Sequence, residues 1–359
     1  MPRFVLALAA SLVLAGCSTP PPQGSTSYVP SPGMEKILVE RVAMHAKHVT
    51  DLQVEEARDV PSVTDAAQAI PNVAGLPAST LEIKQFNQVS ASGATGAIGA
   101  SLYRPTLAKD TPIIIYFPGG TWVTRSDVAA DETSRQLALR TGWVVLSVRP
   151  RLAPEAQFPE IHDDAFAAYQ WARSEMRGWG ADPTRVVLAG EGPGANLALA
   201  TALMARDRET SGRPVPLPDQ LLLITPWAST STSSASMSEN AGARPLDRST
   251  VRWAQRRYAS GQLDDPRIDL ASRTDFQQMP PTTIILADID PLRSGAESLA
   301  ERMRAAGVRT DVRRYRGVTY DFFGLGAYVP EAAQAEADAV QAMQNGFRFN
   351  RISRSPVRR

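Results

Sequence analysis

Three histidines, His45, His48 and His162, supply all the imidazole in this 359-residue sequence, and Cys17 supplies its one thiol. A single cysteine excludes an internal disulfide framework, a thiolate zinc site and an iron–sulfur cluster. Imidazole is the side chain that most readily moves protons near neutral pH, so three copies leave little room for such chemistry. His45 and His48 stand at i and i+3, a spacing that places two metal ligands on one helical face. With no carboxylate or third histidine at matching spacing, they read as a solvated face. His162 precedes Asp163 and Asp164, a polar group suited to the first turn of a helix. Two glycine-rich stretches, Pro118-Gly119-Gly120-Thr121-Trp122 and Gly190-Glu191-Gly192-Pro193-Gly194, are places where the backbone itself can approach a ligand.

Those stretches need elements to hold them. Strand-like runs occur at 81–86, 97–103, 113–117, 144–148, 186–189, 221–224 and 283–286, with extended character at 310–315. From 113 onward the runs are short, continuous and β-branched, as strands buried on both faces are. Helical segments at 131–140, 159–173, 195–206, 248–258 and 293–306 lie between them. Alternation of this kind predicts an α/β fold, a mostly parallel central sheet with helices on both faces. Ligands of such sheets sit beyond the carboxyl ends of the strands, where both glycine-rich stretches fall. The Ser/Thr-rich segment 229–239 reads as a loop over the pocket rim.

The 38 Lys+Arg and 37 Asp+Glu leave a net charge of +1, which excludes a dedicated nucleic-acid binder, since phosphate neutralisation needs clustered basic side chains. At the amino end Met1-Pro2-Arg3 is followed by an apolar run at 4–15, long enough for a signal-peptide core and too short to span a bilayer. Leu14-Ala15-Gly16-Cys17 resembles the bacterial lipoprotein processing box. The resemblance implies cleavage before Cys17 and a diacylglycerol on its sulfur, anchoring the chain to the membrane. Ser18 stands where an inner-membrane lipoprotein commonly has Asp, so the expected address is the outer membrane, facing the periplasm. The chain divides into a signal peptide (1–16), the lipidated Cys with a Pro/Ser-rich tether (17–33), a helical cap segment (34–77), the α/β domain (78–346) and a basic tail (347–359).

In order along the chain, the 118–122 loop, Arg151-Leu152-Ala153-Pro154-Glu155, the 190–194 turn, Asp290-Pro291-Leu292 and Gly317-Val318-Thr319-Tyr320-Asp321-Phe322 resemble the hormone-sensitive-lipase-like branch of the α/β-hydrolase esterases. The resemblance implies the α/β-hydrolase fold with a small amino-terminal helical cap, and it implies no cofactor or metal. That family uses a Ser at the elbow, a His as base, an Asp to orient it and backbone N–H groups to hold an oxyanion. The matching positions here hold Gly192, Tyr320 and Asp290, and Pro193 replaces the residue that donates an oxyanion N–H. Gly119 and Gly120 keep two N–H groups, with Thr121 and Trp122 beside them as further ligand-binding candidates. Tyr320 is expected to donate to Asp290, and Glu191 to point away from the pocket. The expectation that follows is a catalytically degenerate esterase-like lipoprotein of the cell envelope, binding a small acyl or carbonyl ligand or an envelope protein. The alternative is an active carboxylic-ester hydrolase with a different nucleophile or mechanism, Thr121 being near enough to serve.

Overall fold

A computed structural model describes residues 29–71, 82–209 and 214–354. The signal peptide 1–16, Cys17 and most of the tether lie outside the described residues, as do the final residues of the basic tail. The strands are β1 (Gln85–Ser92), β2 (Ala97–Arg104), β3 (Thr111–Phe117), β4 (Val144–Arg149), β5 (Ala181–Glu191), β6 (Gln220–Ile224), β7 (Thr282–Ile289) and β8 (Thr310–Thr319). They form one sheet in the order β1-β2-β4-β3-β5-β6-β7-β8. β1, β2 and β4 pair antiparallel in turn, and the remaining pairings are parallel. The expected α/β-hydrolase fold, a mostly parallel sheet between helices, is therefore present.

The helices are α1 (Pro32–Ala43), α2 (Val54–Arg58), α3 (Val63–Ala69), α4 (Asp127–Thr141), α5 (Glu160–Glu175), α6 (Pro193–Glu209), α7 (Ala235–Glu239), α8 (Arg248–Tyr258), α9 (Arg293–Ala305) and α10 (Pro330–Arg354). Because strand side chains alternate between faces, Ile113, Ile115 and Phe117 of β3 enter one apolar layer, with residues of α5, α6 and α9. Ile114 and Tyr116 enter the other, with residues of α1, α3, α4 and α10. Both faces are dry, which explains why the central strands read as unbroken apolar runs. Helix starts are locally encoded: Ser126 accepts from the Ala129 N–H, Asp247 from the Thr250 N–H, and Ser62 with Asp65 forms a capping box.

Two expectations are corrected here. The segment 229–239 is not all loop, because α7 occupies its second half. The basic tail does not begin at 347: α10 runs on to Arg354, its buried side carried by Ala332, Ala335, Ala339, Met343 and Phe347. Alanines make a helical stripe of low contrast, which is why its periodicity is easily overlooked.

His162 belongs to this scaffold. It is 1% exposed, with Nε2 2.9 Å from Asn196 Oδ1 and Nδ1 2.6 Å from Tyr258 Oη. Asn196 Nδ2 donates to the carbonyls of Trp227 and Ile268, so Oδ1 must accept. The imidazole is therefore the neutral tautomer with its proton on Nε2, accepting the Tyr258 hydroxyl at Nδ1. Trp122 stacks on Tyr258 at 4.4 Å and on the His162 ring at 5.5 Å. Burial holds the imidazole pKa down to about 4. Below the ordinary value near 6.5 the unfolded chain takes up a proton that the folded chain refuses. His162 thus contributes stability above about pH 6.5 that is lost as pH falls toward 4. With three histidines to assign, imidazole NMR should find His162 neutral at pH 6 and titrating near 4; a midpoint above 6 would contradict the network.

Candidate active site

β5 ends at Glu191 and α6 begins at Pro193, so the chain turns on Gly192, with φ +53°. Glycine takes that conformation without the strain a side chain would suffer. Proline at the first helical position loses nothing, since that N–H has no intrahelical acceptor. A Cβ built on Gly192 would lie 1.8 Å from Tyr320 Oη. The phenol, 2% exposed, therefore stands where a nucleophilic side chain at the elbow would be. Its hydroxyl donates to the Gly120 carbonyl at 2.7 Å.

This corrects the expected Tyr320–Asp290 hydrogen bond. A phenol is longer than an imidazole, and its hydroxyl reaches past Asp290 into the volume that Gly192 leaves. Asp290 Oδ1 instead accepts the Leu292 N–H at 2.8 Å. Burial raises the Asp290 carboxyl to about 7, the Leu292 N–H and Arg293 pulling the other way. Burial and neighbouring carboxylates push Tyr320 well above its ordinary range. At neutral pH it is a neutral hydrogen-bond donor and no nucleophile.

A carboxyl that sequence reasoning did not single out lies next door. Asp321 adopts φ +62°, a left-handed conformation that Asp tolerates better than most residues. Its side chain turns toward the oxyanion loop: a Cβ on Gly119 would be 3.4 Å from Asp321 Oδ1 and 3.1 Å from Glu191 Cγ. Glu191 is buried and accepts from Tyr116 Oη at 3.2 Å, while its Oε1 has no partner among the described residues. Glu191 packs behind Gly119 without bordering the cavity beside Tyr320, in keeping with the expectation that it points away from the pocket. Burial, then the Asp321 charge, raises Glu191 well above the carboxylate range. Burial also raises Asp321, to about 7, with Arg41 opposing. Two close carboxyls cannot both ionise cheaply, so Glu191 keeps its proton while Asp321 titrates.

Beside Tyr320 a cavity of about 500 Å³ opens between the cap segment and the carboxyl end of the sheet. Gly120, Thr121, Tyr320 and Asp321 border it from below, and Arg41, Arg58 and Ser62 from the cap. Neither the Gly119 nor the Gly120 N–H has an acceptor among the described residues. The Thr121 N–H is taken by the Thr124 carbonyl at 3.0 Å, and its hydroxyl lies 2.8 Å from Thr124 Oγ1. Gly192 and Pro193 do not reach this cavity, and the Trp122 ring is committed to the His162 stack. Of the other histidines, His48 sits 2.9 Å from Asp247 Oδ2 and ties the cap segment to α8. No group of three or more metal-ligating side chains is assembled among the described residues.

A family model described as the alpha/beta hydrolase fold matches residues 114–324. The chain is 34% identical over 261 residues to the esterase LipI of Mycobacterium tuberculosis, covering 70% of this chain and 79% of LipI. It is 32% identical over 256 residues to the carboxylesterase NlhH of the same organism, with 70% and 79% covered. An esterase structure from Pyrobaculum calidifontis superposes with a TM-score of 0.75 at 28% identity, over 88% of this chain and 98% of that one. These relatives are named as ester-cleaving enzymes, which overturns the expectation of a catalytically degenerate protein and of a chain leaning away from enzymatic activity. The changes at 192, 193 and 320 close the acyl-serine route without removing the cavity, the glycine N–H donors or the carboxyls beside them. In sheet order, elbow and sequence match, the chain belongs to the α/β-hydrolase fold family, in its hormone-sensitive-lipase-like group.

Proposed function

We propose that the protein is a carboxylic-ester hydrolase in which water attacks the ester directly, without a covalent acyl intermediate. The observation that carries this reading is the Asp321 carboxyl in the wall of an open cavity, beside the Gly119–Gly120 loop. Asp321 takes a proton from a water whose oxygen bonds to the ester carbonyl carbon. The N–H group of Gly120, which borders the cavity, holds the oxyanion of the tetrahedral intermediate. As the carbonyl re-forms, the bond to the alcohol breaks and Asp321 returns the proton to the departing oxygen. Tyr320 is a positioning residue that pins Gly120 through its carbonyl. A cavity of about 500 Å³ suits small to medium esters. The same proposal keeps the chain at the cell envelope, most simply through a diacylglycerol on Cys17, supported by Leu14-Ala15-Gly16-Cys17. Cys17→Ser should move the protein from the membrane to the soluble fraction.

The base must be ionised to act, so turnover of a short p-nitrophenyl ester should rise with pH through about 7 and level off above 8. Asp321→Asn, which suits the left-handed backbone equally, should lower kcat by about 10²–10⁴-fold. Unchanged turnover in that variant, or an adduct with a phosphonate inhibitor, would sink the mechanism.

The closed serine route is tested separately. Gly192→Ser places its Cβ against the Tyr320 hydroxyl and should cost about 1–3 kcal/mol in denaturant unfolding. Combining it with Tyr320→Ala should recover about 1 kcal/mol or more beyond additivity; strictly additive effects would mean that the two do not share one volume.

A further inference from the structure

Resting on the hydrolase reading, we propose that the substrate carries a second, ionised carboxylate that Arg41 receives, so that the preferred esters are half-esters of dicarboxylic acids. Arg41 lies in the last turn of α1 and borders the cavity from the cap side. Its Nε donates to the Pro61 carbonyl at 2.8 Å, fixing the plane of the guanidinium. Among the described residues its two Nη groups have no hydrogen-bond or ion-pair partner. The other two cavity-lining arginines are already neutralised: Arg58 meets Glu155 at 2.6 Å, and Arg125 meets Asp127 at 3.0 Å. Arg244 is itself held by Asp247 and adds like charge near Arg41. Burial and Arg244 both lower the Arg41 pKa, while Asp321 supports it. A desolvated guanidinium whose Nη groups touch no carboxylate gains from a ligand that supplies one in direct contact.

The chemistry of the free edge selects the ligand. With Nε occupied, the two Nη groups present a planar pair of donors that matches one carboxylate. A single negative charge balances the single cation. A phosphate dianion would leave excess charge beside Asp321 and push that base further from its working form. The Arg41 and Asp321 ends of the cavity thus divide the substrate: the ester carbonyl lies at the Gly119–Gly120 loop, and the free carboxylate under α1.

The test compares kcat/KM for mono-p-nitrophenyl glutarate and for p-nitrophenyl butyrate at about pH 8.5, above the Asp321 titration, and takes the ratio within each variant so that a change in Asp321 ionisation cancels. The wild-type chain should prefer the half-ester by about 10–100-fold, mainly through KM, as one charge-assisted bidentate contact provides. Arg41→Gln should bring that ratio close to one, and Arg41→Lys, which keeps the charge but not the fork, should fall between. Calorimetric titration with 5-oxohexanoate, the methyl-ketone analogue of the half-ester that cannot be hydrolysed, gives a readout independent of turnover. Ester turnover with no half-ester preference in the wild type overturns the carboxylate site and leaves the hydrolase reading standing. Arg41-dependent binding of 5-oxohexanoate without turnover of any ester keeps the site and overturns the hydrolase reading.

Discussion

The space above the β5–α6 turn admits either a side chain on residue 192 or the Tyr320 phenol, and here the phenol holds it. Everything distinctive about the site depends on that exclusion. With glycine at 192 the turn is relaxed, proline can open α6, and the Tyr320 hydroxyl is free to bind the Gly120 carbonyl instead of a triad aspartate. Asp290 is left to the Leu292 N–H. The proposed chemistry consequently lies beside the elbow, at the neighbouring wall where Asp321 and the glycine loop meet the cavity.

That displacement changes what electrostatics must do. A serine triad relies on an imidazole that gains and loses a proton near neutral pH. Here the groups poised near neutrality are carboxyls, raised by desolvation and by one another. Arg41 opposes the rise at Asp321, so one guanidinium on the cap sets how acidic the proposed base is and offers the free charge in the cavity. Coupling cap to sheet in this way gives α1 a chemical role beyond covering the pocket. The imidazoles serve elsewhere: His162 as a neutral link inside an aromatic stack, His48 as a tie between the cap segment and α8.

Most of the fold could be read from residue order. The expected runs at 113–117, 144–148, 186–189, 221–224 and 283–286 fall within β3 to β7, because a strand buried on both faces must be apolar without interruption. The edge was read less well: β1 occupies 85–92 where 81–86 was expected, since a half-exposed edge strand carries a weaker pattern. α10 is hard to recognise in residue order because alanine packs well yet contrasts little with its surroundings.

Identity at a single position was enough to close the acyl-serine route: a glycine at 192 carries no nucleophile, whatever surrounds it. Residue order likewise located the glycine loops at strand ends, because backbone N–H groups are exposed only where pairing stops. Which side chains replaced the triad could not be read that way. Tyr320 was expected to meet Asp290, and only the reach of its ring across the sheet end shows that it meets Gly120. Asp321 and Arg41 are far apart in the chain and ordinary in type. Packing α1 over the sheet desolvates both at one cavity, and that shared loss of water, a property of the folded arrangement alone, is what shifts their proton affinities.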